Sequence, residues 1–397
     1  MPRRRLTRPP AARNSGGDLR ARPEGYNGGV SSRHAHALSF AAAVAILHGG
    51  CASLPRAVEY RSGTLPTAAT PQQADTLTDG RARFREVFCE LLARAGDADP
   101  ADPRCERLLW RMADEPPSPA TRHDLPSMPT ASLRFVLVTG AFDDCYGDEG
   151  LPFREAAHDL VERGHRLYTV RLSGRSSATA NARSLAEALR PMLADAATRL
   201  VLVGYSKGAI DILELFAVDP ALAGHVAAVV SVAGPVRGTP LAAEGAFIYD
   251  TLLAHSFASR CDPGDGGVLD SLDPAVRAAS LAARPPPAGV RMYSVLALPE
   301  AGLIARALTP SWEMLARSSR YNDGQVRVQD GLIAGGTVLG FANADHWGIA
   351  LRIERVLPHI AARDLDRPFP QRELLEAIML TVGAAFAQND SLPAPAR

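Results

Sequence analysis

The 397-residue sequence predicts an α/β architecture: a mostly parallel central sheet with helices on both faces, a helical cap insertion and an N-terminal helical hairpin. Three observations carry the prediction. From residue 133 onward, short and almost wholly apolar runs alternate with amphipathic stretches, which is how parallel strands covered on both faces read. The run 199–205 passes straight into Gly204-Tyr205-Ser206-Lys207-Gly208. Beyond that turn Ala209, Ile210, Ile212, Leu213, Leu215 and Phe216 recur at helical spacing, so a strand, a tight turn bearing one serine and a helix follow in sequence.

Composition narrows the function classes. Hydrophobic residues make up 46% of the chain, enough to bury a full core, and Lys plus Arg equal Asp plus Glu at 43 each. A balanced chain has no global field to draw in nucleic acid, so a small-molecule or lipid substrate without charge fits better.

At the N-terminus, Arg3, Arg4 and Arg5 precede an apolar run at 37–47 that is too short for a permanent bilayer span and reads as the core of a secretory signal. Leu47-His48-Gly49-Gly50-Cys51 resembles a bacterial lipoprotein cleavage site, where the cysteine becomes lipid-modified, although His48 stands where that pattern prefers an aliphatic residue. The long stretch before the apolar run suggests a true start near Val30. Residues 1–51 are therefore read as an export segment with lipidation at Cys51. The expected location is the bacterial periplasm or the outer membrane, with membrane association through the lipid. Residues 52–78, rich in Pro, Thr, Ala and Ser, read as a flexible linker.

Four further cysteines, Cys89, Cys105, Cys145 and Cys261, suit an oxidising compartment. Helical patterns at 83–93 and 104–112 around a Pro-rich turn make an appendage over 79–130. They favour a Cys89–Cys105 bridge, with Cys145–Cys261 following by elimination.

The main domain is expected over 131–365. Strands are predicted at 133–138, 166–172, 200–205, 226–232, 290–298 and 337–342, and helices at 152–163, 184–196 and after Ser206. The alternation breaks over 240–288, a candidate cap whose Phe247, Ile248, Leu252, Leu253 and Phe257 could line an acyl pocket or form a small core of their own. A long loop covers 311–323, and a C-terminal helix and tail occupy 366–397.

In an open parallel sheet, chemistry gathers beyond the carboxyl ends of the strands. That criterion selects His346, just after the last strand, as general base for Ser206, with His359 as fallback. Asp323, in the turn Asn322-Asp323-Gly324, is the carboxylate chosen to orient the imidazole, ahead of Asp330 and Asp345. The amide of Lys207, at the start of the helix after the nucleophile, is placed to donate to an oxyanion, its own side chain being read as solvated. Asp143, Asp144, Asp148, Glu149, Asp262 and Asp265 read as solvated loop acids whose spacing does not fit an EF-hand. No motif implies a cofactor or metal.

With these residues in view, the chain resembles the lipase-like and esterase-like members of the α/β-hydrolase superfamily over about residues 133–360. The resemblance rests on Gly204–Gly208, Asn322-Asp323-Gly324, Asp345-His346-Trp347 and the segment 231–240. It implies the chain order Ser206, Asp323, His346 and a second oxyanion donor from the main chain of Ala141, or of Phe142 next to it. The chain departs from many lipases in carrying Val138-Thr139-Gly140 where they have His-Gly. The implied activity is hydrolysis of carboxylic esters through an acyl-enzyme. Acyl transfer, thioester or polyester cleavage by the same residues, and a non-catalytic lipoprotein on this fold, are the alternatives.

Overall fold

A computed structural model gives the structure of residues 76–96, 103–117, 125–126, 133–195, 197–244, 262–352, 355 and 368–390. The export segment with Cys51, nearly all of the linker, Cys261, His359 and the cap residues Phe247, Ile248, Leu252, Leu253 and Phe257 lie outside the described residues.

The described strands are β1 (Thr78–Asp79), β2 (Leu133–Val138), β3 (Leu167–Val170), β4 (Arg199–Tyr205), β5 (Val226–Val232), β6 (Arg291–Ala297) and β7 (Thr337–Ala342). They form one sheet in the order β1-β7-β6-β5-β4-β2-β3, every pairing parallel. Around it lie α1 (Arg81–Arg94), α2 (Pro103–Leu108), α3 (Arg154–Glu162), α4 (Ala178–Leu189), α5 (Lys207–Val218), α6 (Pro240–Glu244), α7 (Val268–Leu272), α8 (Pro274–Ala283), α9 (Thr309–Ala316) and α10 (Gln371–Asp390).

Strand periodicity divides the core. In β2, Phe135 and Leu137 join α1, α3 and α10 on one face, whereas Val136 and Val138 join α4 and α5 on the other. Val201, Val203 and Tyr205 of β4 likewise oppose Leu200 and Leu202. The strand order reverses at β2, which lies between β3 and β4. The loops leaving β2 and β4 therefore diverge from neighbouring strands, opening a crevice at their carboxyl ends.

Three expectations need correction. First, α4 starts at Ala178 rather than residue 184, because the Ser177 side chain caps it by accepting the Ala180 N–H at 3.2 Å. It gives way after Leu189 to a 3-10 turn holding Pro191, well short of residue 196. Second, the long loop at 311–323 contains α9, whose Trp312 and Leu315 are buried.

Third, the described residues of 79–130 do not stand apart from the sheet. β1 pairs with β7, and Phe84, Val87, Phe88 and Leu91 of α1 are buried in the same cluster as β2 and β4. Arg85 holds Glu115 through two bonds of 2.6 and 2.8 Å and donates to the carbonyls of Leu109 and Trp110. The Trp110 indole donates to Leu298 O at 2.7 Å. The α2 helix ends at Leu108 rather than 112, since Leu109 is drawn into an antiparallel bridge with Ala342. The disulfide is the expected one, joining Cys89 to Cys105. Cys145 is also disulfide-bonded, and its expected partner Cys261 lies outside the described residues.

Candidate active site

Ser206 sits at the turn between β4 and α5 with φ 51° and ψ −129°, a conformation that L-residues adopt only under strain. The glycines on either side are required by close approach. A Cβ on Gly204 would lie 2.5 Å from Ala209 N, and one on Gly208 2.6 Å from the carbonyl oxygens of both Val138 and Thr139. The turn is pinned by a 3.0 Å bond from Ser206 N–H to Val232 O on β5.

His346 follows β7, and its Nε2 lies 2.9 Å from Ser206 Oγ. Its Nδ1 lies 2.9 Å from Asp323 Oδ2. The other oxygen of Asp323 accepts N–H groups from Gln325 and Val326 at 2.8 and 2.7 Å, so Oδ2 is left for the imidazole. Two backbone ties hold the histidine in place: its own N–H donates to Asp323 O at 2.9 Å, and its carbonyl accepts the Tyr205 hydroxyl at 2.8 Å. Asp323 and His346 are 1% and 5% exposed, whereas Ser206 is half-buried. With Asp323 as acceptor, Nδ1 carries the proton and the Nε2 lone pair faces the serine hydroxyl. A chain of hydroxyl, imidazole and carboxylate in that order can move a proton from oxygen to nitrogen as the oxygen attacks.

The runners-up are occupied elsewhere. Asp330 pairs with Arg327 at 2.5 Å, and Asp345 accepts the N–H groups of Ala305 and Gly348.

The turn after β2 carries the other expected donor. The N–H groups of Gly140 and Phe142 are taken by Asp143 Oδ2 and Gly174 O, whereas those of Ala141 and Lys207 find no acceptor among the described residues. Apolar side chains adjoin both turns in sequence. Ala141 and Phe142 pack against the cluster that holds Val268 and Leu272, and Trp347 against the one that holds Leu308 and Trp312.

Two sequence readings fail here. The Lys207 side chain is not solvated: it is 1% exposed and runs under α5 to Asp211, one turn on and equally buried, at 2.6 Å. An ion pair at this spacing looks the same in sequence whether it faces water or core. Burial raises the Asp211 carboxyl above its ordinary value, opposed by Lys207, by Asn181 and by Arg277. Nor are all the loop acids solvated. Asp143 is 3% exposed, while Asp144 gives its oxygens to the N–H groups of Gly174 and Asp262. Tyr205 and Asp143 are the structural contributors that sequence reasoning overlooked. The one signal for Asp143 was its position three residues after the glycine that ends a strand. A cavity of about 80 Å³ between Glu214 of α5 and Arg277 of α8 lies toward the far end of α5 and touches none of Ser206, His346 and Asp323.

The crystal structure of the metagenomic carboxyl esterase MGS0156 is similar to this chain at 35% identity, with a TM-score of 0.70 over 81% of this chain and 96% of that one. The mature Bacillus licheniformis lipase BlEst2 aligns at 18% identity and a TM-score of 0.43, over 60% of this chain and 96% of that one. Lipase 1 from Pelosinus fermentans aligns at 14% and 0.45, over 63% and 98%. No protein-family model matches the sequence, and no curated protein does.

Proposed function

The chain belongs to the carboxyl esterases of the α/β-hydrolase superfamily and is a carboxylic ester hydrolase, and we propose that Ser206, His346 and Asp323 are its catalytic triad. The observation that carries this reading is the unbroken hydrogen-bonded chain from Ser206 Oγ through both ring nitrogens of His346 to Asp323, each link 2.9 Å.

As Ser206 Oγ bonds to the acyl carbon, its proton passes to His346 Nε2 and the carbonyl π pair moves onto oxygen. The N–H groups of Ala141 and Lys207 receive that oxyanion. One such donor contributes roughly 3–4 kcal/mol to the transition state, and the positive end of α5 adds to the field. Asp323 keeps the imidazole in the tautomer that can accept, then stabilises the imidazolium. Collapse of the intermediate breaks the bond to the alcohol oxygen, which takes the proton from Nε2 and leaves an acyl-enzyme. Water then repeats the sequence in place of serine and releases the acid.

The substrate is a small-molecule ester whose uncharged groups lie along the apolar sides of the crevice at Phe142 and Trp347. Ser206→Ala in the purified protein should reduce p-nitrophenyl butyrate hydrolysis by about 10⁴-fold or more and abolish fluorophosphonate labelling. Persistent labelling of another residue would refute the assignment.

Export belongs to the same reading. The Cys89–Cys105 disulfide fits an oxidising compartment, and lipid attachment at Cys51 would hold the enzyme on a bacterial membrane. Palmitate incorporation that survives Cys51→Ala would remove the anchor from this account. No helix among the described residues is long and apolar enough to cross a bilayer.

A further inference from the structure

Resting on the Ser206 reading, we infer that Asp143 is a positioning residue, one that holds the turn 140–142 so that the Ala141 N–H faces the carbonyl under attack. The observation is a buried carboxyl that the proton relay does not use, set against the backbone that must present the oxyanion donor. Asp143 Oδ2 accepts the Gly140 N–H at 2.5 Å. A Cβ placed on Gly140 would lie 2.9 Å from Ser206 Cβ and 3.2 Å from Asp143 Oδ2, so carboxyl and nucleophile flank the same point.

The turn does not hold its shape unaided. Phe142, between Ala141 and Asp143, has φ 61° and ψ 6°, a left-handed conformation that persists in a bulky residue only where surrounding bonds over-determine it. Those bonds are present. The Phe142 N–H goes to Gly174 O at 3.2 Å, its carbonyl accepts the Cys145 N–H at 3.0 Å, and Gly174 is tied back to Asp144 Oδ1 at 3.1 Å. Asp143 fixes one end of the turn and Gly174 the other, leaving the Ala141 amide between them for the substrate. Burial drives the Asp143 carboxyl well above the ordinary range; the Gly140 N–H opposes this and the Asp144 charge adds to it. A neutral carboxyl can accept from Gly140 without repelling a nearby oxyanion. Asparagine offers the same acceptor.

The test compares Asp143→Ala with Asp143→Asn in the full-length protein, each normalised to the sites that fluorophosphonate labels on exhaustive treatment. D143A is expected to lose about 10- to 100-fold in kcat, as for a donor displaced by a fraction of an ångström, with KM changed by less than about threefold. Its affinity for a trifluoromethyl ketone should fall in parallel, since that inhibitor forms the same tetrahedral oxyanion. D143N should stay within about threefold of wild type in both. Wild-type kcat per labelled site in D143A, or equal damage in D143A and D143N, would overturn the proposal. If D143A does not accumulate as folded protein, Asp143→Ser, too short to reach the Gly140 amide, is judged by the same criteria. Failure of the Ser206 reading would look different, as labelling of a residue other than Ser206 in the wild-type enzyme.

Discussion

Replacing Lys207 by methionine keeps the length and apolar stem of the side chain but leaves Asp211 without its cation. Both side chains are 1% exposed, so water cannot take over. Asp211 would retain the Asn181 amide at 2.8 Å and the more distant charge of Arg277. Breaking a buried pair by removing one partner costs about 3–5 kcal/mol. The cost should depend on pH, and its sign follows from the direction of the shift. Asp211 already titrates above 3.8 in the folded protein, and losing the ammonium that opposes burial raises it further. A folded-state value above the unfolded one means that stability is fully present below the unfolded pKa and is lost as pH rises toward the folded one. K207M should therefore fall by about 1.4 kcal/mol per pH unit across that window, relative to the double variant K207M/D211N. The double variant keeps an acceptor for Asn181, carries no buried charge, and should recover most of the loss at pH 7. Urea unfolding at pH 5 and pH 7, followed by the fluorescence of Trp110, Trp312 and Trp347, measures all three proteins. A K207M cost below about 1 kcal/mol with no pH slope would mean that the pair is hydrated and that its burial contributes nothing.

Other outcomes follow from features already described. Cys89→Ala/Cys105→Ala frees a loop closed across a separation of 16 residues, and its urea midpoint should shift by the equivalent of about 3 kcal/mol; reduced wild type, which also loses the Cys145 bridge, should shift at least as far. Gly208→Ala drives a Cβ to 2.6 Å from two backbone carbonyls, so kcat/KM should drop about 100-fold while circular dichroism stays native. Asp143→Asn removes a carboxyl that burial drives well above the ordinary range beside Asp144 and Tyr146, the latter pushed up to about 12 by its own burial and by Asp143. Because the folded-state pKa of Asp143 is raised, wild type loses stability relative to D143N as pH climbs from about 4. The gap between their unfolding midpoints should widen over that range, and a constant gap would count against burial of the charge.

The strands 133–138, 226–232 and 337–342 could be read to the residue because a parallel strand buried on both faces is a nearly continuous apolar run, in which Arg134, Ser231 and Thr337 are isolated exceptions. The Ser206 elbow was legible for a related reason: its two glycines are demanded by backbone contacts within the motif itself. Asp323 and His346 followed from the rule that functional loops leave the carboxyl ends of strands. What could not be read depended on distant partners. Nothing local to Asp143 says that it is covered, and the depth of Lys207 is set by Asn181 and Arg277, which come from other helices. The α9 helix escaped notice because one short segment opening Thr309-Pro310 carries too little periodicity to separate it from a loop. The early start of α4 was hidden in the same way, since Ala178, Ala180 and Ala182 favour helix without marking an apolar face.

The two-residue strand β1 has a use out of proportion to its length. Thr78 and Gly80 donate their N–H groups to the carbonyls of Gly336 and Val338 at 2.9 Å, on the flank of β7 that β6 does not reach. Without them the first half of β7 would end the sheet as bare donors and acceptors beside a buried apolar face, the arrangement that recruits a second chain, while Leu109 and Trp110 cover its second half. A shortened enzyme beginning after residue 115 would keep every residue assigned to the chemistry, yet would expose that flank and lose α1 from the core. Such a protein should self-associate before it loses its active site. Protection of that sheet edge is therefore written into a stretch that precedes the hydrolase motifs by more than fifty positions.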